Sequence, residues 1–225
     1  MIPENVGNGS FSRWPLASIF GILSVLLNVA AIGCLGEFSA AYQPGQMENW
    51  MEEMVAHPLG AAASAWLFEV GVLCLIPFAL GVRRSLRGSR ELAGVASSLI
   101  VAGALMNAAA CLAPFIVARQ VAGAAVAGDP SALLIGRVLL EWAISMDALF
   151  NLLFGFGLVL AGTAMWSSSH YGSLLPVLGV VAGLNTMVVV FQVDFPAAAH
   201  WLIVAGPLWL AWILGTSYRL IRPRG

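Results

Sequence analysis

The sequence predicts an all-α, polytopic transmembrane helix bundle of about six spans, and three observations predict it. Hydrophobic residues fill 60% of the 225 positions and charged residues only 9%, against about 25% charged in a soluble domain. Too few charges remain to cover a soluble chain of this size, so lipid is the main solvent. Secondly, the apolar residues gather into six stretches, at about 15–36, 58–82, 92–117, 138–166, 173–193 and 198–218. Each far exceeds the 9–11 residues of a barrel strand and suits a helix, which needs about 20 to cross hydrocarbon and satisfies its own backbone there. Thirdly, all ten basic residues are arginine, and a six-span threading leaves eight of them on one side. Six spans and short connections use nearly the whole length, so residues 1–225 read as a single membrane domain.

The first stretch follows Arg13 and runs from Trp14 to about Leu35. It is longer than the 7–15-residue core of a signal peptide, and further spans follow, so it reads as a retained first span. The longest connection comes next. After the turn signal Pro44-Gly45, the segment Gln46–His57 places Met47, Trp50, Met51, Met54 and Val55 on one helical face and Glu48, Glu52 and Glu53 largely on the other. That spacing predicts a short amphipathic helix in the first outer loop, lying on the membrane or capping the bundle. The second stretch contains Pro77. It leads into Arg83, Arg84, Arg87 and Arg90, a topogenic cluster that also suits anionic lipid headgroups.

Small residues recur at four-residue spacing in the third stretch (Gly94, Ser98, Ala102) and the fifth (Gly179, Gly183), which lets helices approach closely. Pro77, Pro114 and Pro207 predict kinks. Arg137, just before the fourth stretch, and Glu141 lie one turn apart and could form a salt bridge. A weak echo between Val101–Leu105 and Val181–Leu184 fits a duplicated helix pair. Arg13, the 83–90 cluster, Arg219, Arg222 and Arg224 share one side; only Arg119 and Arg137 take the other. The positive-inside rule then puts both termini in the cytoplasm. Glu37, Glu48, Glu52, Glu53, Asp129 and Asp194 lie outside. Trp14 and Trp166 mark the inner border, and Trp50, Trp142 and Trp201 the outer one. The absence of Lys is a compositional pointer to a bacterial source, so the expected location is a bacterial inner membrane.

Polar residues deep in the spans carry the functional information. Asn28, Glu69, Asn107, Asn151 and Asn185 sit near the middles of stretches one to five, and Asp147 lies one turn outward of Asn151 on the same face. Glu141 is nearer the outer border. Ionisable groups at mid-membrane are costly and usually face a bundle interior or a water-filled cavity. Glu69 and Asp147 are therefore candidate proton carriers, with the asparagines orienting them or binding a substrate. The competing reading is interhelical hydrogen bonding, worth about 0.6–2 kcal/mol per contact.

A second constellation falls on the outer side: His57, His200 and Asp194, with Glu52 and Glu53 nearby. Imidazole and carboxylate are ordinary zinc or iron ligands, and Met47, Met51 and Met54 could add sulfur for Cu(I). No two His share the close spacing of a metal motif, and the methionines coincide with an apolar face. His170 falls on the opposite side, so a bis-His haem has no pair of ligands within the spans. No metal and no cofactor is expected. Cys34, Cys74 and Cys111 each fall inside a span; Cys34 with Cys111 is the one pair at similar depth, and buried Cys usually serves as a small apolar residue. The sequence lacks Gly-x-Ser-x-Gly, a Walker-type phosphate loop, His-Glu-x-x-His and any basic tract for nucleic acid.

The run Ala148–Gly155, the later Val181–Leu184 and the closing Gly206-Pro207-Leu208-Trp209-Leu210 resemble uncharacterised bacterial six-span membrane protein families of unknown function. That resemblance implies a six-helix fold and carries over no catalytic residue. The leading expectation is a non-enzymatic inner-membrane protein, transporter-like or accessory, with a polar mid-membrane layer. Its partners would be the lipid bilayer, other membrane subunits or a small lipophilic or ionic substrate. Alternatives are a small membrane enzyme acting on a lipid or quinone-like substrate, with Glu69, Glu141 and Asp147 as acid/base groups, and a structural subunit of a larger membrane complex.

Overall fold

The computed structural model describes residues 15–35 and 47–222. The readings placed on Arg13, Trp14, Glu37, Pro44, Gly45, Gln46 and Arg224 lie outside them. Among the described residues every regular element is helical. They are α1 (Pro15–Leu35), α2 (Met47–Ala56), α3 (Pro58–Leu73), α4 (Leu75–Ser85), α5 (Arg90–Ile116), α6 (Ala122–Val126), α7 (Pro130–Met165), α8 (Leu174–Val188) and α9 (Leu202–Ile221), with short 3₁₀ or π turns between several of them. Five runs are long and apolar enough to cross a membrane: Pro15–Cys34, Pro58–Ser85, Arg90–Val126, Pro130–Met165 and Leu174–Val193. The fold is thus all-α and consistent with a membrane protein. The 20-residue α9 falls outside the five, because its second half carries Thr216, Ser217, Tyr218 and Arg219.

Prolines account for the interruptions. Pro77 has no N–H to offer the carbonyl of Leu73, and α3 ends on Leu73. The next bond, from Phe78 N–H to the Cys74 carbonyl, is stretched to 3.5 Å. Pro114 lies inside α5, and three residues later the chain loosens into a π-helical turn over Val117–Val121 before tightening again as α6. A freed carbonyl invites such a wider turn.

The start of α7 is encoded by Gly128-Asp129-Pro130. Gly128 takes φ +95°, a value that glycine alone adopts freely. Asp129 Oδ1 accepts from the N–H groups of Ser131 (2.8 Å) and Ala132 (3.3 Å), and Pro130 fills the first helical position. The sequence reading began this element at about 138; the cap starts it eight residues earlier. Asp129→Ala is expected to cost about 1 kcal/mol, read as a lower midpoint of unfolding in mixed detergent micelles, whereas Asp129→Asn should leave the midpoint nearly unchanged.

The long helices pack in chain order and close a circuit. α1 lies against α3 and α4, these against α5, α5 against α7, α7 against α8, α8 against α9, and α9 back on α1. Contact is most extensive along α5–α7 and α7–α8. The shared core holds Phe78, Phe154, Leu158, Tyr171 and Trp212, all at most 1% exposed. Edge-to-face ring contacts join Phe78 to Trp212 (5.9 Å) and Phe154 to Trp209 (5.7 Å).

Hydrogen bonds define one end of the bundle: Ser85 to Tyr171, Ser89 Oγ to Ser167 Oγ (2.6 Å), and the His170 ring to the Arg219 carbonyl (2.7 Å). Arg83, Arg84, Arg87, Arg90, Arg219 and Arg222 gather there, while Arg119 and Arg137 belong to the other end.

At that other end the protein outgrows a bilayer. The run Arg90–Val126 has 37 residues and α7 has 36, so each is about 55 Å long against about 30 Å of hydrocarbon. A second apolar core fills the excess. Met47, Trp50, Met51 and Met54 of α2 are at most 6% exposed and pack with Val117, Ala122, Ala125 and Leu140. The apolar face of α2 therefore rests on protein rather than on lipid. Val55, which the sequence pattern put on the same face, is 43% exposed.

Candidate functional site: a polar layer between the helices

Asp147 is the centre of the best-connected polar group in the spans. Its Oδ2 accepts from Asn151 Nδ2 at 2.9 Å and from Gln192 Nε2 at 2.8 Å. The Asn151 amide also donates to the Asp147 carbonyl at 2.9 Å. Spacing explains the first contact, because residues four apart on a helix share a face. The second is tertiary. α8 relaxes into a 3₁₀ turn over Val189–Val193, and that turn brings Gln192 to α7. Asn151 is 2% exposed and Gln192 is 0% exposed. The remaining Gln192 oxygen, Oε1, is buried and has no hydrogen-bond partner among the described residues.

α5 supplies the next members. Asn107 is buried, and its Oδ1 accepts a weak bond from the Cys111 thiol at 3.6 Å. α3 and α7 both pack against α5. Trp66 on α3 meets Phe115 on α5 edge-to-face at 5.5 Å, one turn from Glu69 and Cys111 respectively. Glu69 itself is half-buried. Asn28 is buried in α1, donates to the Ser24 carbonyl at 2.8 Å, and lies over Gly71: a Cβ at Gly71 would meet Asn28 Nδ2 at 2.6 Å. The layer thus runs from α1 through α3, α5 and α7 to the end of α8.

Asn185 is placed differently from the other asparagines. It is only partly buried and donates to the carbonyl of Val181, four residues back in its own helix, at 2.8 Å. The fifth span is instead represented by Gln192, a residue the depth argument passed over because it lies at the end of an apolar run. Its isolation among Val188–Val193 was the available signal. Glu141 is exposed, and Arg137, expected to pair with it, forms its ion pair with Glu48 of α2. An arginine four residues before a glutamate is the less favourable order on a helix, and α2 offers an alternative carboxylate at the same end.

The outer constellation does not converge. His57 pairs with Glu53 at 3.7 Å, His200 Nδ1 contacts the Ala197 carbonyl at 3.1 Å, and Asp194 is exposed. Among the described residues no three His, Cys, Asp or Glu side chains could hold a metal together. The three cysteines are free, and the methionines of α2 are spent on the second core.

In comparisons with known proteins, no family model, no curated protein and no solved structure matches the chain.

Proposed function

We propose that this chain is a six-span protein of a bacterial inner membrane that works in a transporter-like manner, with Asp147 as a proton-binding group and Glu69 as a second. Counting α9 as a span places both chain ends on the arginine-rich side, and the positive-inside rule makes that side cytoplasmic. The excess length of α5–α7, with α2 packed on it, then stands outside the cell.

The observation that carries this reading is the geometry at Asp147. Both amide donors converge on Oδ2, so a proton can join or leave Oδ1 without either bond breaking. Gln192 Oε1 adds a buried acceptor with no donor among the described residues, a state that costs about 1–3 kcal/mol until a donor arrives. A donor group on a water or on a small ionic or lipophilic substrate would satisfy Gln192 Oε1. Intramembrane carboxyl groups in such settings usually serve proton or ion pathways.

Infrared spectroscopy of the protein in liposomes tests the reading. The expected result is a carboxyl band that changes with pH, shifts in D₂O and vanishes in Asp147→Asn. A band that neither titrates nor exchanges with deuterium would leave Asp147 a packing residue and end the transporter reading.

A further inference from the structure

A groove opens at the arginine-rich end, on the outer face of α5 and away from the polar layer. It has a volume of about 580 Å³, and Arg83, Arg90 and Glu91 form its mouth while Gly94, Val95, Ser98 and Leu99 continue it along the helix. Two features give the groove direction. Arg83, in the last turn of α4, holds its guanidinium over Gly94, with Nε, Cζ and Nη2 at 3.8–3.9 Å from where a Cβ would stand. A Cβ at 94 would be in ordinary van der Waals contact with the guanidinium, and a bulkier side chain would compete with it for the same space. Beyond it the lining turns apolar: Val95 is 53% exposed, and Leu99 lies about 13 Å further along the axis than Arg90. The wall is charged at its arginine end and mostly apolar beyond it.

We infer that this groove binds an anionic glycerophospholipid, its phosphate between Arg83 and Arg90 and one acyl chain along Val95 and Leu99. The commitment to an anionic lipid follows from charge. Two arginines against one glutamate leave the mouth with a net positive charge that a monoanionic phosphodiester neutralises. Glu91 is an acceptor for headgroup hydroxyls, such as those of phosphatidylglycerol. A free anion matches the arginines but has nothing to place on the apolar wall.

Native mass spectrometry of the detergent-purified full chain tests this with phosphatidylglycerol, phosphatidylethanolamine and phosphatidylcholine as probes. One molecule of phosphatidylglycerol is expected to be retained in preference to the other two. An arginine near an anionic headgroup is worth about a fivefold preference, so Arg83→Gln with Arg90→Gln should weaken retention about thirtyfold. Arg219→Gln with Arg222→Gln removes the same charge from the same end of the bundle and should leave retention unchanged. Gly94→Phe, which fills the groove without altering charge, should also lose the lipid, and it decides the matter if the double arginine variant inserts poorly. Equal retention of all three lipids overturns the inference. So does an equal loss in the Arg219/Arg222 pair, full retention in Gly94→Phe, or displacement of the lipid by inorganic phosphate.

Discussion

Replacing Gly183 with alanine is expected to lower the stability of the bundle by about 1–3 kcal/mol, the usual cost of forcing a methyl group into a well-packed seam. A Cβ there would stand 2.5 Å from the Gly155 carbonyl oxygen and 2.8 Å from both the backbone nitrogen and Cγ2 of Val159. Two of those three atoms belong to main chain and cannot swing aside. The seam is reciprocal: a Cβ on Gly155 would meet the Gly183 oxygen at 2.8 Å, and one on Gly162 would meet the Pro176 oxygen at 2.7 Å. α7 and α8 therefore touch backbone to backbone over about two turns, which is how helices gain contact in lipid without a hydrophobic driving force. Gly33→Ala is the control, since nothing among the described residues lies within 4 Å of its Cβ position. Steric trapping or detergent titration of both variants should show a large loss in the first and none in the second. Equal midpoints would mean that the α7–α8 seam tolerates a methyl group and that close backbone contact does not set its stability.

How much of this was legible in the sequence divides along a physical line. Features that depend on local chemistry were readable. The Gly179–Gly183 spacing marked a close approach, and the Met47–Trp50–Met51–Met54 period marked a helical face. What the sequence could not supply was the partner. Gly183 needs Gly155, 28 residues earlier, and the two are brought together only by the register of α7 against α8. The methionine face suited lipid and protein equally; the 37-residue run through α5 and α6 decided between them by rising far enough to meet it. Helix ends were misjudged wherever hydrocarbon limits were used as structural limits. α7 begins at its Asp129 cap and not at the membrane border, because a cap acts on the backbone whatever the solvent.

The polar layer shows the same division. Asp147 and Asn151 were a readable pair because four residues is one helical turn. Gln192 was not, because its approach depends on the change from α helix to 3₁₀ turn after Val188, which rotates the last residues relative to the α-helical projection. Asn185 had the depth but faces its own helix. Depth along a span is a weaker guide than facing, and facing in a helix that changes type cannot be read from a constant period.

The second large effect concerns that layer. Asp147→Leu is expected to be far more damaging than Asp147→Asn, although leucine is the residue more at home in a membrane. Leucine removes the acceptor of two amides. Asn151 retains a bond to the main-chain carbonyl at position 147, but Gln192, fully buried and already holding one unpartnered oxygen, loses the only partner its nitrogen has among the described residues. A buried polar group left unpaired costs about 1–3 kcal/mol, and the side chain at 192 is fully buried. Asparagine keeps an oxygen at the Oδ2 position and should cost less than about 1 kcal/mol while removing the titratable proton. Pairing Asp147→Leu with Gln192→Leu should restore much of the loss, since exchanging both partners for apolar groups is often nearly neutral. A double-mutant cycle on unfolding midpoints measures this directly. Strictly additive losses would mean that the 2.8 Å bond contributes nothing to the fold, and would detach Gln192 from the site.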